Sequence, residues 1–496
     1  MGLDIGTTGC KCTVLDITGR ICSYSYKEYS IHSPGPGFYE LNPNEVWEAV
    51  KNVIWKASNS YKGEKITALS ISSLGEAAVP LDKQGKILYN SLLYTDIRGS
   101  KNADYLKERL GPNKIMELTG LPVHSMFTIN KLMWMKENQP EVYRNVAKFL
   151  LYGDYILYKL GGVAAIDYSL ASRTMAFNIT SKIWDAEILN VAEVDCALFS
   201  PTVPSGTVVG TISKSVATEL GLPADLVLVV GGHDHACAAL GAGAIKEGIA
   251  IDSIGTVECI TAAFNQPVVN QKMLDNNFAC APHTKNGMFI TYAFSLTGGS
   301  LLKWYRDHFA HQEKTEAARR RVSVYALLDA KASREPTGLL VLPHFTGTGT
   351  PYMDTWAKGA IVGLSLDVTP PMLYRAFLEG VTYEMLLNIE CLEAAGVYIQ
   401  ELRAVGGGAK SNFWLQLKAD VIGKKIVALN INEAGTTGTA IIAGTATGVY
   451  KSMDEALQWL VKPKKEFYPT DGYHQIYAGY YQKYKRMYQA VKEILS

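Results

Sequence analysis

A short phrase occurs twice in this chain of 496 residues. Asp4-Ile-Gly6-Thr7 opens it, and Asp252-Ser-Ile-Gly255-Thr256 returns half a chain length later. In both places a short apolar run ends at the Asp and a Gly-Thr turn follows. A second apolar run then leaves the turn, "CKCTVLD" after the first copy and "VECITAAF" after the second. Glycine and carboxylates are poor strand-interior residues, so each copy reads as a β-hairpin with an unusual turn. Two such hairpins, each opening its half, predict a duplicated architecture: two domains, residues 1–246 and 247–496, facing a shared cleft. The length agrees, because single cores stop growing beyond ~250–300 residues.

Each half goes on to alternate strand and helix, the pattern of an α/β fold. "NPNEVWEAVKNVIWKA" reads as a helix with Asn42 as cap, Pro43 at its first position and Glu45 reaching back to the cap. "ITALSISSLG" and "AAVPLD" read as buried strands. "DLVLVVGGHDHACAALGAGA" is an apolar strand, a tight turn and an Ala-rich helix. In the second half a helix starts at Thr369-Pro370 and ends at Gly396, with Leu373, Ala376, Phe377, Gly380 and Val381 on one stripe. "LRAVGGGAKSNFWLQLKADVIG" is again strand, glycine turn and helix. Tyr473, Tyr477, Tyr480, Tyr484 and Tyr488 recur at helical spacing and read as a packing stripe.

Composition narrows the function classes. The chain is 48% hydrophobic and 19% charged, with a net charge of +1, so nothing draws it to nucleic acid or to a membrane surface. No apolar run approaches the ~18 residues of a membrane span, and the first residues show no secretory leader. The 8 cysteines form no C-x-x-C, and Cys10 and Cys12 share one strand face as small apolar residues. A reducing, cytoplasmic location is expected.

Two glycine motifs fail the tests for common nucleotide loops. "GGGAKS" at 406–411 has Ala409 where a Walker A loop needs Gly, and "GAGAIKEG" has Lys246 at the third dinucleotide-binding glycine. What remains is a set of strand-end turns at 6–9, 255–256, 298–299 and 406–408. Turns of this kind bring backbone N–H groups close to phosphate oxygens. "GGHDHA" at 231–236 ends an apolar strand in a carboxylate flanked by two histidines. Three readings stand: a His-x-His zinc site, a helix-capping Asp, or a general base at the carboxyl end of a strand.

Taken in order, the motifs resemble the FGGY carbohydrate kinase family over nearly the whole chain. They run from "GLDIGTTGCKCTVLD" through "ISSLGEAAVPLDKQGKIL", "YTDIRG", "TGLPVHSMFTINKLMWMKENQPEVY", "GGHDHACAALGAGAIKEG" and "DSIGTVECITAAF". They continue with "GGSLLKWYRD", "GLSLDVTPPMLYRAFLEGVTYEM" and "GGGAKSNFWLQLKADVIGKKI". The resemblance implies an α/β fold of two actin-like, ribonuclease-H-like domains with mixed sheets around an interdomain ATP cleft. It implies transfer of the ATP γ-phosphate to a hydroxyl of a sugar or polyol. Asp234 then matches the catalytic base, and Asp4 the carboxylate that orients Mg2+ and its waters. Gly6, Thr7, Thr8 and Lys11 match phosphate contacts. Thr256, Gly299, Lys303, Gly407, Ser411 and Asn412 match nucleotide contacts.

The substrate pocket departs from both well-marked groups of the family. Gly75, Glu76, Met126, Asp234 and His235 fall at its positions. Glu76 is similar to the glutamate of glycerol-kinase-like members, but Gly75 stands where those carry Arg, and His235 where they carry Gln. The missing Arg implies space for something larger than glycerol, and a Glu76 facing the pocket implies discrimination against sugar acids. The expected partners are therefore ATP, Mg2+ and a small sugar or polyol, with a homodimer as the assembly and neither nucleic acid nor membrane as a partner. The alternative expectations are a non-catalytic actin- or chaperone-like ATP-binding relative and, within the family, a glycerol-kinase-like enzyme.

Overall fold

The computed structural model describes residues 1–431 and 433–495. The first sheet is built from β1 (Gly2–Ile5), β2 (Gly9–Leu15), β3 (Ile21–Glu28), β4 (Ala68–Ser73), β5 (Val208–Thr211) and β6 (Val227–His233), in the order β3-β2-β1-β4-β6-β5. β1, β4 and β6 run parallel, and β2, β3 and β5 pair antiparallel. The second sheet holds β7 (Gly248–Ile254), β8 (Glu258–Phe264), β9 (Ala281–Pro282), β10 (Phe289–Ser295), β11 (Ile399–Val405), β12 (Lys425–Leu429) and β13 (Pro463–Phe467). Its order is β9-β10-β8-β7-β11-β12-β13.

The duplication read from the hairpins is present strand by strand. β10-β8-β7-β11-β12 repeats the order and the parallel or antiparallel sense of β3-β2-β1-β4-β6. Asp4 and Asp252 hold the same place in the two copies, each on the strand between an antiparallel and a parallel neighbour. The outer strand is the exception: β5 precedes β6 in the chain, whereas β13 follows β12.

Helix α1 (Pro43–Ser60) starts as expected, with the Asn42 side chain accepting the Asn44 N–H at 3.0 Å. Its buried Val46, Val50, Val53, Ile54 and Ala57 cover β2 and β3. Glu45 does not reach back to the cap; its carboxylate lies 3.2 Å from His32 Nε2. Later in the chain come α2 (Asp234–Gly241), α3 (Gly299–Phe309), α4 (Pro370–Ala394) and α5 (Asn412–Ile422). α6 (Ala434–Ala446), from the second half, packs on α2 and on β1 and β4 of the first sheet.

The tyrosine stripe lies on α7 (Asp471–Tyr484) and α8 (Met487–Leu495) and docks these helices on the second lobe. It is more polar than its spacing suggests. Tyr473 donates to Glu335 at 3.1 Å, Tyr477 to Glu379 at 2.9 Å, Tyr488 to Asp354 at 2.8 Å, and Tyr484 to Glu384. Each ring supplies apolar area while its hydroxyl satisfies a carboxylate.

The two lobes meet most closely where α2 crosses α6. A Cβ on Gly241 would fall 1.9 Å from Ala434 O, and one on Gly438 would fall 1.9 Å from Cys237 O. Backbone rests on backbone, so only glycine fits. Gly438→Ala is expected to destabilise the protein by about 1–3 kcal/mol through overpacking, against the small helix-propensity gain of alanine. A urea-denaturation midpoint at or above that of the wild type would contradict this packing.

Candidate active site

Asp4 lies near the end of β1, opposite Lys11 on β2 and Ser72 on β4. Ser72 Oγ donates to Asp4 Oδ1 at 2.8 Å, and Lys11 Nζ lies 3.2 Å from Oδ2. Lys11 also reaches Glu433 at 2.7 Å, just before α6, so a second-half carboxylate touches the first hairpin. Burial opposes the Lys11 charge, but Asp4 and Glu433 outweigh it and hold the ammonium above its usual range.

A magnesium ion fits this carboxylate on two grounds. A Cβ at Gly435 would lie 3.0 Å from Asp4 Oδ2, so glycine keeps that face of the carboxylate open. A single carboxylate with water and phosphate oxygens is the donor set that Mg2+ accepts.

Asp234 follows β6 and begins α2. Its Oδ1 accepts the His235 N–H at 2.6 Å and lies 3.1 Å from His233 Nε2. Burial raises its pKa, and Asp4 and Glu76 add to the rise while His235 opposes it. Burial works against the His235 imidazolium, yet Asp234 and then Cys259 outweigh it and lift its pKa to about 9. Cys259 Sγ, on β8, is 4.0 Å from His235 Nδ1. His233 is not spare for a metal, because it faces Asp234 and the Tyr292 hydroxyl, the latter at 3.3 Å.

Glu76 adopts a left-handed backbone (φ 64), unusual for a glutamate, and its carboxylate is buried. Arg173 holds it, with Nε 2.7 Å from Oε1 and Nη2 on the same oxygen. The guanidinium sits 5.1 Å from the Phe127 ring and 5.6 Å from the Tyr292 ring. The open space expected at Gly75 is therefore filled: a Cβ there would lie 2.8 Å from Arg173 Cγ. A guanidinium does occupy this part of the pocket, but it arrives from a different segment of the chain. Thr128 donates to the Glu76 carbonyl at 2.8 Å, which brings the half-buried Met126 segment alongside. Buried Lys131, its pKa lowered by burial to about 7, and the Tyr94 phenol also face Glu76.

In the second lobe the glycine turns stack on one another. Gly298, Gly299 and Ser300 donate their N–H groups to the Gly255-Thr256 turn at 2.8–3.1 Å. Thr256, Lys303, Gly407 and Asn412 are exposed around these turns, and Gly299 is half-buried. Ser411 is less free than expected: its hydroxyl caps α5 by accepting the Trp414 N–H at 3.0 Å and also faces Asp329. In the first lobe Gly6 closes its turn on Gly9 O at 2.9 Å, leaving Thr7 half-buried and Thr8 exposed. Arg173, Tyr292 and Glu433 carried no local sequence signal.

Residues 1–241 match the model for the FGGY family of carbohydrate kinases, N-terminal domain, and residues 250–447 match that for its C-terminal domain. The chain belongs to the FGGY family of carbohydrate kinases. A xylulose kinase of Staphylococcus epidermidis is 30% identical over 503 aligned residues, covering 100% of this chain and 97% of the relative. A gluconokinase of Bacillus subtilis is 28% identical, covering 92% of this chain and 88% of the relative. Among solved structures, a gluconate kinase from Lactobacillus acidophilus superposes with a TM-score of 0.90 at 25% identity, over 99% of this chain and 97% of that one. As an FGGY kinase the chain is a phosphotransferase that acts on a hydroxyl of a small sugar or polyol, with ATP as donor. This removes the non-catalytic alternative. No helix among the described residues is long and apolar enough to cross a membrane.

Proposed function

We propose that this kinase phosphorylates a neutral ketose or polyol of the xylulose class. Asp234 acts as general base, Asp4 orients Mg2+, and ATP lies between the Gly6–Lys11 hairpin and the stacked turns of the second lobe. The division of labour follows the sequence halves, residues 1–246 holding the sugar and the base and residues 247–496 the nucleotide. The observation that carries the reading is the Asp234 carboxylate. Its Oδ1 is taken by the His235 N–H and faces His233, while the side chain stays 35% exposed, which leaves Oδ2 for an acceptor hydroxyl. The hydroxyl proton passes to Oδ2 as its oxygen bonds the γ-phosphorus. The β–γ bridging bond breaks and ADP leaves. Bound Mg2+ supplies charge neutralisation of the phosphates. Lys11 offsets charge on the transferring group, and those backbone N–H groups of the turns that are not already bonded within them orient the phosphates.

Charge balance supports a neutral acceptor. Arg173 pairs with Glu76 and His235 with Asp234, and burial drives the remaining cation beside Glu76, Lys131, toward its neutral form, which leaves little positive charge for a substrate carboxylate. Discrimination against sugar acids rests on this balance rather than on repulsion by a bare Glu76. ATP-dependent ADP release across ketoses, polyols, aldoses and aldonates tests the reading. The highest kcat/KM is expected on a neutral ketose or polyol, with aldonates at least tenfold lower. A preferred aldonate would overturn the substrate class.

A further inference from the structure

The reading of Asp234 as base leaves open what aims its carboxylate, and the residues behind it form a continuous chain. Tyr292 lies on β10 of the second sheet, yet its hydroxyl reaches His233 of the first lobe, 3.3 Å from Nδ1. The other ring nitrogen, Nε2, is 3.1 Å from Asp234 Oδ1. The His233 backbone is fixed as well, since its N–H donates to Ser169 Oγ at 2.9 Å and it pairs with Ser73 across β4.

We propose that Tyr292 and His233 are positioning residues: the tyrosine hydroxyl sets the histidine tautomer, and the histidine holds the Asp234 carboxylate with Oδ2 turned to the acceptor hydroxyl. The inference rests on the proposed role of Asp234. The donor and acceptor roles follow from one another. An ionised carboxylate only accepts, so Nε2 carries the proton. Nδ1 then holds the lone pair, which accepts the tyrosine O–H. The histidine is neutral in this arrangement, and burial, with Arg173 and His235 nearby, keeps its pKa well below the usual value. Tyr292 is pinned from its other side by the Arg173 guanidinium over its ring, the same group that holds Glu76. Base and sugar-binding glutamate are thus aligned through one second-lobe side chain. A kinase site gains from this, because the base is aimed only when the two lobes are seated together.

The test compares Tyr292→Phe, His233→Ala and His233→Gln with Asp234→Asn in the full-length enzyme. Tyr292→Phe removes one neutral hydrogen bond and is expected to lower kcat about 3–10-fold. His233→Ala removes the Nε2 contact that lies 3.1 Å from the Asp234 carboxylate and is expected to lower kcat about 10–100-fold. Glutamine can place its amide N–H near the lost Nε2 and should recover most of that loss. KM for ATP should stay within about twofold in all three, because the relay faces the acceptor. The pH profile gives a readout that a purely structural role would not move. Losing a donor to the carboxylate raises its pKa, so the acid limb should shift to higher pH in His233→Ala. Asp4, Glu76, Arg173, His235, Tyr94, Cys237 and Tyr292 also face Asp234 and stay unchanged in that variant. Wild-type kcat and acid limb in both Tyr292→Phe and His233→Ala, beside an inactive Asp234→Asn, would overturn the relay and leave the base reading standing. An active Asp234→Asn would remove the base reading itself. If His233→Ala fails to fold, Tyr292→Phe decides the question alone.

Discussion

Asp234→Asn is expected to lower sugar phosphorylation by at least 10²–10⁴-fold, the usual contribution of a general base. The substitution keeps the side-chain shape. It also keeps an acceptor for the His235 N–H that now bonds Oδ1 at 2.6 Å. What changes is the other atom, where an amide donor replaces an oxygen that can take a proton. The nucleotide groups lie on other elements, so ATP affinity should stay within about threefold, an energy change below that of one ordinary hydrogen bond. Steady-state ADP release together with an equilibrium ATP titration separates the two effects. A variant that turns over at the wild-type rate would exclude Asp234 from the chemistry. The wild type should also lose activity as pH falls, because the protonated carboxyl cannot accept, and burial places this loss above the usual carboxylate range.

Lys418→Met should produce the largest loss of stability. Lys418 is fully buried on α5, 2.9 Å from Asp252 and in contact with Glu258, both of them also fully buried. Methionine matches the stem but leaves two carboxyl groups sealed in without a cation. Removing one partner of a buried ion pair costs about 3–5 kcal/mol, a large share of a total near 5–15. The deficit has a predictable sign with pH. Burial already holds the Glu258 pKa above its usual value, and without the ammonium the native state retains that proton still more strongly. A carboxyl raised on folding stabilises most below its unfolded pKa and loses that contribution as pH rises. Chemical denaturation should therefore find the variant nearest to wild type around pH 4 and furthest from it at pH 7–8. Adding Glu258→Gln should restore part of the stability. A pH-independent deficit below about 1 kcal/mol would mean that the triad is not the strained cluster it looks to be.

Local patterns made the frame legible. The two Asp/Gly-Thr hairpins, the Asn42-Pro43 helix start and the strand ending in GGHDHA are short-range signals, and each lies where the sequence placed it. The partners of those residues were not legible. Arg173 reaches Glu76 across 97 positions, and Lys418 reaches Glu258 across 160. Such pairs are set by how sheets and helices stack, which no window along the chain contains. The gap at Gly75 shows the consequence: a missing side chain in one segment was filled by another segment, so sequence alone read occupied space as free. The tyrosine stripe shows the same limit, since its helical period announced packing while its carboxylate partners lay on distant elements. Glu45 shows the reverse case, a local capping rule overridden by a nearby histidine.

At the α2–α6 crossing, main chain lies against main chain at Gly241 and Gly438. Such a contact marks the point about which one lobe would turn relative to the other. Its place in the molecule sets a gear ratio. Gly241 is at the far end of α2 from Asp234, about 10.5 Å away at ~1.5 Å per residue. A turn of about 10° around the crossing then moves the second lobe past Asp234 by roughly 2 Å, and past a rim three times as distant by roughly 6 Å. Two ångströms is the difference between a formed and a broken hydrogen bond from Tyr292 to His233, so a sweep of the outer cleft is stepped down at its base into a make-or-break contact.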